Sequence, residues 1–404
     1  MSTPTTEFLT LMGPEPFALL TEARELAPVV PIKFPDGLTR HLVTRYADVR
    51  RVLGDPRFSS DLTDTVSQIQ GPTAIVLQKF QDLLGSSMLN VDPPDHTRLR
   101  KLVVRAFSAK RVDALRPRIT ELAEGLLDEV AGQSEIDLVA AFAFPLPVLV
   151  ICELLGVPAQ DRAHFSSLSH KMLAYLDSEQ VILEAAAAVD GLVAYMAGLI
   201  EAKRAAPADD LISDLIAISE DGDRLSAEEL VAMGVLLLNA GHETTVNLIG
   251  NGAVLLLQRP DVLERLRERP ELVPAAVEEF LRLDGPVHPG LVRVATEDSE
   301  VGGVPVPAGS LLLLSTSGAN RDPREFADPD RIDLDRPANP HLALGHGIHF
   351  CVGARLARLE GEIAFSALLR RFPKLELAVP AAELLRRPGA LLRGYASLPL
   401  RVGD

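Results

Sequence analysis

The segment Gly345-His346-Gly347-Ile348-His349-Phe350-Cys351-Val352-Gly353 is a glycine-rich approach to one cysteine, followed at once by a helix-like run over residues 354–364. Glycines tolerate positive φ and let backbone come close to a flat ligand, while free N–H groups at a helix start stabilise an anionic sulfur. A chain presents a thiolate to a metal in this way. A thiolate on haem iron pushes electron density onto the metal and favours O–O cleavage, so the segment predicts oxygen activation with Cys351 as the metal ligand. His346, His349 and Cys351 are also donors that zinc accepts, but a tetrahedral zinc site wants a fourth ligand at a defined spacing.

A second group of polar residues, Asn239, His242, Glu243, Thr244, Thr245 and Asn247 around Gly241, interrupts a long apolar segment. Buried polar groups cost free energy unless hydrogen-bonded, so this island needs a reason. Thr244 is placed to bond the Ala240 carbonyl and open the helix slightly, and Gly241 is expected to leave room for a ligand. His242 has no second histidine at metal spacing and reads as a bystander.

The cysteine segment resembles the haem-binding loop of the cytochrome P-450 superfamily, F-G-x-G-x-H-x-C-x-G, with Leu344 standing where that pattern has phenylalanine. Ala240-Gly241-His242-Glu243-Thr244 is similar to the family's oxygen-binding motif A/G-G-x-D/E-T. By this resemblance Thr244 and Glu243 are the catalytic pair, delivering protons in a dry cleft so that the O–O bond breaks productively. Ala240, Gly241, Gly345 and Gly353 approach the cofactor. Glu279 and Arg282 share a helix face and look like the E-x-x-R signature; Arg331 is expected as the third charge, with Ile332 in place of the usual aromatic. His96 and Arg100, four apart, resemble the helix that holds the haem propionates, and Arg293 and His349 are implied as the remaining contacts. The substrate pocket is expected from residues 61–88, 165–195, 238–240, 287–292 and 391–392, with Met88, Leu238, Asn239, Val287, Leu291, Val292, Leu391 and Leu392 as its candidates. The resemblance runs from Asp92 to Leu391-Leu392-Arg393-Gly394.

The elements that must position these groups follow from the rest of the chain. Ser226-Ala227-Glu228-Glu229 matches a capping box, which predicts a helix running toward Gln258 before Pro260, roughly 45–50 Å long. Apolar residues recur at three- and four-residue spacing from Thr97 to about Leu257, broken near Pro145, Pro158, Pro207 and Gly222. Strands are expected at residues 41–44 and as a turn-separated pair over 302–315. The fold class is therefore mostly α with a small β portion (α+β), a single domain over residues 1–404, and the resemblance implies the cytochrome P-450 fold with the long central helix over the haem.

A hydrophobic share of 47% in 404 residues supports a large core. The two cysteines, Cys152 and Cys351, suggest no disulfide framework, and residues 1–7 lack the basic and apolar regions of a secretory signal; both fit the cytoplasm. Residues 138–152 are too short to span a bilayer and hold Pro145 and Pro147, so no membrane association is expected. A net charge of −16 argues against nucleic-acid binding. Against that acidic background Arg98, Arg100, Lys101, Arg105, Lys110 and Arg111 form a basic run, which with Arg355 and Arg358 is the expected docking face for an acidic partner.

The reading is a haem-thiolate monooxygenase with haem b (iron protoporphyrin IX) and O2 as co-substrate. It hydroxylates or epoxidises a bulky apolar substrate, expected to be a polyketide or macrolide-like natural product. Ferredoxin and an NAD(P)H-dependent ferredoxin reductase are the expected partners, and the enzyme is expected to act as a monomer. The alternatives are an oxidative ring-forming or coupling enzyme of the same family, and a non-catalytic haem-binding sensor.

Overall fold

The computed structural model describes residues 6–13, 15–34, 39–67, 73–172, 178–220, 225–387 and 391–403. The predicted break at Gly222 and parts of two predicted pocket stretches, residues 68–72 and 173–177, lie outside the described residues.

Eight helices frame the site: α1 Tyr46–Gly54, α2 Asp95–Ala106, α3 Pro145–Leu155, α4 Arg162–Met172, α5 Glu179–Ala205, α6 Ala227–Leu257, α7 Val273–Asp284 and α8 Ala354–Arg371. Helix α6 starts where the sequence predicts. The Ser226 hydroxyl accepts from Glu229 N at 3.0 Å, and the Glu229 carboxylate accepts from Ser226 N at 2.8 Å, which satisfies two of the free donors of the first turn. At 1.5 Å per residue its 31 residues span about 46 Å. It is apolar on most of its circumference because α3, α5, α7 and α8 all pack against it. Helix α5 is long and apolar enough to cross a membrane by length and composition, yet it buries Ile182, Ala185, Val189, Leu192 and Met196 against its neighbours.

The β portion draws on both ends of the chain. Strands β1 Thr6–Glu7, β2 Val30–Lys33, β3 Thr39–Val43, β4 Phe58–Ser59, β5 Glu135–Asp137, β6 Leu291–Ala295, β7 Ser299–Val301, β8 Val304–Val306, β9 Leu311–Leu314, β10 Glu376–Leu377 and β11 Pro399–Arg401 form three sheets. The largest has the order β1-β2-β3-β9-β6-β4. The predicted pair over residues 302–315 does not pair with itself. Gly302 and Gly303, both at positive φ, turn β7 into β8, whereas β9 leaves that hairpin and pairs with β3 and β6.

Register decides which way β6 faces. Val292 sits opposite Leu313, and both pack with Leu42, Ile32 and Leu20 on one side of the sheet; Leu291 sits opposite Leu314 on the other. Because side chains alternate along a strand, Leu291 and Val292 cannot both face one pocket.

Candidate active site

Helix α6 carries two functional rows. Leu237, Ala240, Thr244 and Leu248, at intervals of three and four, line a cavity, flanked by Leu236 and Thr245. The cysteine loop supplies Leu344, Gly345, His349, Phe350, Cys351 and Val352 to the same cavity, and Met88, Arg100, Val287, Leu291 and Thr316 complete much of the lining. The Thr244 hydroxyl donates to the Ala240 carbonyl at 2.8 Å.

The loop is shaped from below. Gly345 and Gly347 have φ of +76° and +71°, and a Cβ on Gly347 would stand 2.6 Å from the Leu53 carbonyl, so the loop lies hard against the end of α1. Cys351 N donates to the Leu344 carbonyl at 2.8 Å, which closes the loop just before Gly353 caps α8. Burial pushes the Cys351 thiol up, opposed by the Gly353 N–H and by the positive charges of Arg100 and Arg358. Cys152, fully buried in α3, is pushed up to about 12 by burial and is inert packing.

Beside the sulfur, four cationic or donor side chains gather. The rings of His96 and His349 lie 4.3 Å apart, and Arg293 stands close enough to depress both. Burial lowers His349 to about 3, with Arg293 and His96 adding to it, and pushes Arg293 down to about 10. Burial also lowers Arg100, whose Nη2 donates to the Phe350 carbonyl at 2.6 Å. His96 Nε2 is buried with no hydrogen-bond partner. The neighbouring carboxylate, Asp92, is held by Ser59 and by the Ser60 N–H at 3.2 Å. Such a cluster calls for a further anion.

Comparison with known proteins places this geometry. The profile described as Cytochrome P450 matches residues 39–380. A vitamin D(3) 25-hydroxylase from Pseudonocardia autotrophica is 47% identical over 383 residues, covering 93% of this chain and 91% of its own. The chain belongs to the cytochrome P450 family. A mycinamicin IV hydroxylase/epoxidase from Micromonospora griseorubida is 43% identical, with 94% of each chain covered. Among solved structures, the tirandamycin C-bound P450 monooxygenase TamI superposes with a TM-score of 0.90 at 41% identity, covering 98% of this chain and 100% of that one. The protein is a cytochrome P450 monooxygenase, with the mostly helical P450 fold, and its cofactor is haem-thiolate iron with O2 as co-substrate. The residues present fit that group: a half-buried sulfur facing a cavity on one side, and the unpartnered His96 nitrogen with the desolvated Arg100 and Arg293 for its carboxylates on the other. Among the described residues no cluster of three His, Cys, Asp or Glu stands ready for another metal.

Several sequence-based placements change in this P450. The third charge on Glu279 is Arg336, not Arg331. Glu279, 1% exposed, accepts from Arg282 Nε and Nη2 at 2.7 and 2.8 Å, from Arg336 Nε at 3.0 Å, from Asn339 at 2.9 Å and from Asp333 N at 2.8 Å. Arg331 contributes only its carbonyl, to Arg282 at 2.9 Å, and its side chain is exposed. Burial pushes the Glu279 carboxyl up, and the bonds from Arg282, Asp333 and Arg336 outweigh it and hold it below its usual range.

Gly241 does not open space for the cofactor. A Cβ there would meet Ile151 at 2.7 Å, so its smallness lets α3 approach α6. Leu238 and Asn239 turn away from the cavity: Asn239 accepts from Ser169 of α4 at 2.6 Å and donates to the Val235 carbonyl. His242 joins them, with Nδ1 at 2.8 Å from the Leu238 carbonyl and Nε2 at 3.2 Å from Ser169. Val292 faces the far side of its sheet, and Leu391 and Leu392 lie outside the cavity lining, with Leu392 bridging the Val287 backbone instead.

The second row of α6, Glu243, Asn247 and Asn251 at i, i+4 and i+8, meets the paired chain segments 385–387 and 391–396. Arg387 N donates to the Gly394 carbonyl at 2.9 Å, and Asn251 Nδ2 donates to the Arg393 carbonyl at 2.9 Å. Arg386 reaches Asn251 Oδ1 at 2.9 Å and Asp284 at 2.7 Å, and Arg393 reaches Asp284 at 2.9 Å. Arg387 Nη1 lies 3.1 and 3.3 Å from the Glu243 carboxylate oxygens. Spacing alone signals this row; its partners lie about 140 residues away and carry no motif.

The expected docking face is largely neutralised within the chain. Arg98 pairs with Glu229, Arg111 with Asp214 and Asp209, Arg355 with Asp113, and Arg358 with Glu278. Arg105 and Lys110 stay exposed, and Val104, next to Arg105 in sequence, is an exposed apolar side chain.

Proposed function

We propose that this P450 inserts one oxygen atom of O2 into a bulky, largely apolar substrate of polyketide or macrolide-like character, by hydroxylation or epoxidation, while the second oxygen leaves as water. The observation that carries the reading is the shared cavity, in which the Cys351 loop and the Ala240-Thr244 face of α6 meet among Met88, Leu236, Leu237, Leu248, Val287 and Leu291. No carboxylate lines that cavity among the described residues, which favours an uncharged substrate body held by burial of apolar surface. The vitamin D(3) 25-hydroxylase, the mycinamicin IV hydroxylase/epoxidase and the tirandamycin C-bound TamI support a large substrate by their names.

The cofactor form is haem b, which when bound supplies dioxygen activation at the iron. Cys351 would hold the iron, with Gly345 and Gly353 shaping the loop, and His96, Arg100, Arg293 and His349 would hold the propionates. Thr244 orients its hydroxyl in the cavity and passes protons there, and Glu243 draws them from the solvent side of α6. Ala240 leaves the wall between Thr244 and Leu237 low. Electrons come from ferredoxin and an NAD(P)H-dependent ferredoxin reductase, docking over Arg105 and Lys110. The chain acts as a single domain and a monomer in the cytoplasm.

The test is reconstitution with a ferredoxin system and a panel of macrolide and polyketide scaffolds, under isotopically labelled dioxygen. One labelled oxygen in the product supports the reading. A colourless purified protein, or a reduced carbon monoxide complex without the far red-shifted Soret band, removes it.

A further inference from the structure

Two cationic side chains favour an anionic sulfur at Cys351, Arg100 and Arg358. Arg100 belongs to the cluster proposed for the propionates, whose carboxylates would take up its charge. Arg358 has no such use. It stands on α8 seven residues after Cys351, and Ala357 beside it still lines the cavity. Its partner is Glu278 of α7, which accepts from Arg358 Nε and Nη2 at 2.6 and 2.9 Å and lies 3.1 Å from His341 Nε2. The Arg358 and Glu278 side chains are 34% and 26% exposed, while that of His341 is 2% exposed, so the acid is gripped from the buried side as well as by the guanidinium. Burial pushes the Glu278 carboxyl up, and the bonds from His341 and Arg358 overcome it and hold it at about 2. Glu279, next in sequence, faces a separate set, Arg282, Arg336 and Asn339, so the two acids do not share a cation.

From this arrangement we infer that Glu278 is a positioning residue that sets how strongly Arg358 acts on the sulfur, and through it the reduction potential of the bound cofactor. It holds the guanidinium in a fixed fork and cancels part of its charge. The assignment rests on Cys351 as the iron's ligand. A bare cation near a thiolate draws electron density back onto sulfur, weakens donation to the metal and favours the reduced state, which carries one more negative charge. An acid bonded to that cation reverses part of the effect. Bidentate arginine–carboxylate geometry fixes direction as well as distance, which a lysine in place of Arg358 would not. The two side chains thus pull in opposite directions: Arg358 makes reduction easier and Glu278 limits it, while His341 keeps the acid in place from below.

The experiment measures the reduction potential of haem-loaded full-length protein in the parent, Glu278→Gln, Arg358→Gln and the double variant. Gln at position 278 keeps an oxygen for the guanidinium, and Gln at position 358 replaces a partly exposed cation, so neither change empties the core. Glu278→Gln should make reduction easier by about threefold to tenfold in the equilibrium constant, roughly 30–60 mV for one electron, and Arg358→Gln harder by a similar factor. The double variant should return to within about twofold of the parent, because the two charges act through one contact. A merely structural contact predicts another pattern, in which both single variants move the same way and the double variant recovers nothing. The second readout is the C–O stretching frequency of the reduced carbon monoxide complex, which should rise in Glu278→Gln and fall in Arg358→Gln as donation from sulfur weakens or strengthens. Arg355→Gln, which breaks an exposed pair with Asp113 on the same helix, should leave both readouts in place. Single variants that shift the potential the same way or not at all, or an Arg355→Gln shift as large as theirs, overturn the assignment. A parent whose reduced carbon monoxide complex lacks the far red-shifted Soret band removes Cys351 as the ligand and this assignment with it, so the spectrum of the parent alone tells the two failures apart.

Discussion

Replacing Glu279 by Gln tests the proximal charge network most directly. Gln keeps the size of the side chain but removes the charge and turns an NH2 group toward a shell made of donors: Arg282, Arg336, Asn339 and Asp333 N. Arg282 is 0% exposed and the Arg336 side chain 7%, so both guanidiniums would be left in a desolvated place without a counter-charge. Breaking a buried pair in this way costs about 3–5 kcal/mol. Against a total stability of about 5–15 kcal/mol that is a third or more of the whole. Asp333, Arg336 and Asn339 of the network belong to the segment that leads directly into the cysteine loop, so cofactor retention should fall with it. The assay is urea unfolding followed by circular dichroism, with the Soret-to-protein absorbance ratio as a measure of haem content. Two controls sharpen it. Arg336→Ala should cost about 1.5–3 kcal/mol, as for a lost charged hydrogen bond, whereas Arg331→Ala should stay within about 0.5 kcal/mol because its carbonyl survives. If Arg331→Ala destabilised the protein as much as Arg336→Ala, the assignment of the third charge would fail.

Thr244→Ala should keep substrate binding, seen as an unchanged spectral titration, while diverting electrons to peroxide; unchanged coupling would take Thr244 out of the proton path. His96→Leu combined with Arg100→Leu should release haem to apomyoglobin faster than the parent, and an unchanged release rate would show that propionates lie elsewhere. Burial holds His288 down to about 4, with its rings' nitrogens bonded to the Leu11 carbonyl and Ser317. The unfolded chain, with His at 6.5, takes up that proton first, so stability is full above about pH 6.5 and drains as pH falls toward 4. His288→Asn should flatten that part of the profile, and an unaltered slope would refute the cause. Charge reversal at Arg105 and Lys110 should slow reduction by ferredoxin and weaken its salt dependence; equal rates at every ionic strength would move the docking face.

Local spacing carried much of this protein into view. The capping box at Ser226, the cysteine loop and the Glu279-Arg282 interval are each set within a few residues, and α6, the loop and the buried pair are where those intervals put them. Long-range partners were not visible in the same way. Arg331 and Arg336 sit five residues apart in an irregular segment with no period, so nothing in composition favours one guanidinium over the other. Within the expected pocket stretches Met88, Ala240, Val287 and Leu291 line the cavity while Leu238, Asn239 and Val292 do not, because a helix shows a cavity about one residue in three or four and a strand one in two. The apolar setting of His242 gave no sign that Ser169 would supply its partner from another helix.

The two rows of α6 share one rigid rod. Ala240, Thr244 and Leu248 look into the cavity while Glu243, Asn247 and Asn251 grip the chain's far end, and a helix turns about 100° per residue. One residue added or lost between Leu248 and Asn251 would rotate Asn251 away from Arg386 and the Arg393 carbonyl even if every side chain lining the cavity were left in place. Spacing between the two rows is thus as constrained as the reactive groups, and a natural relative with an insertion there should have rebuilt its C-terminal segment to match.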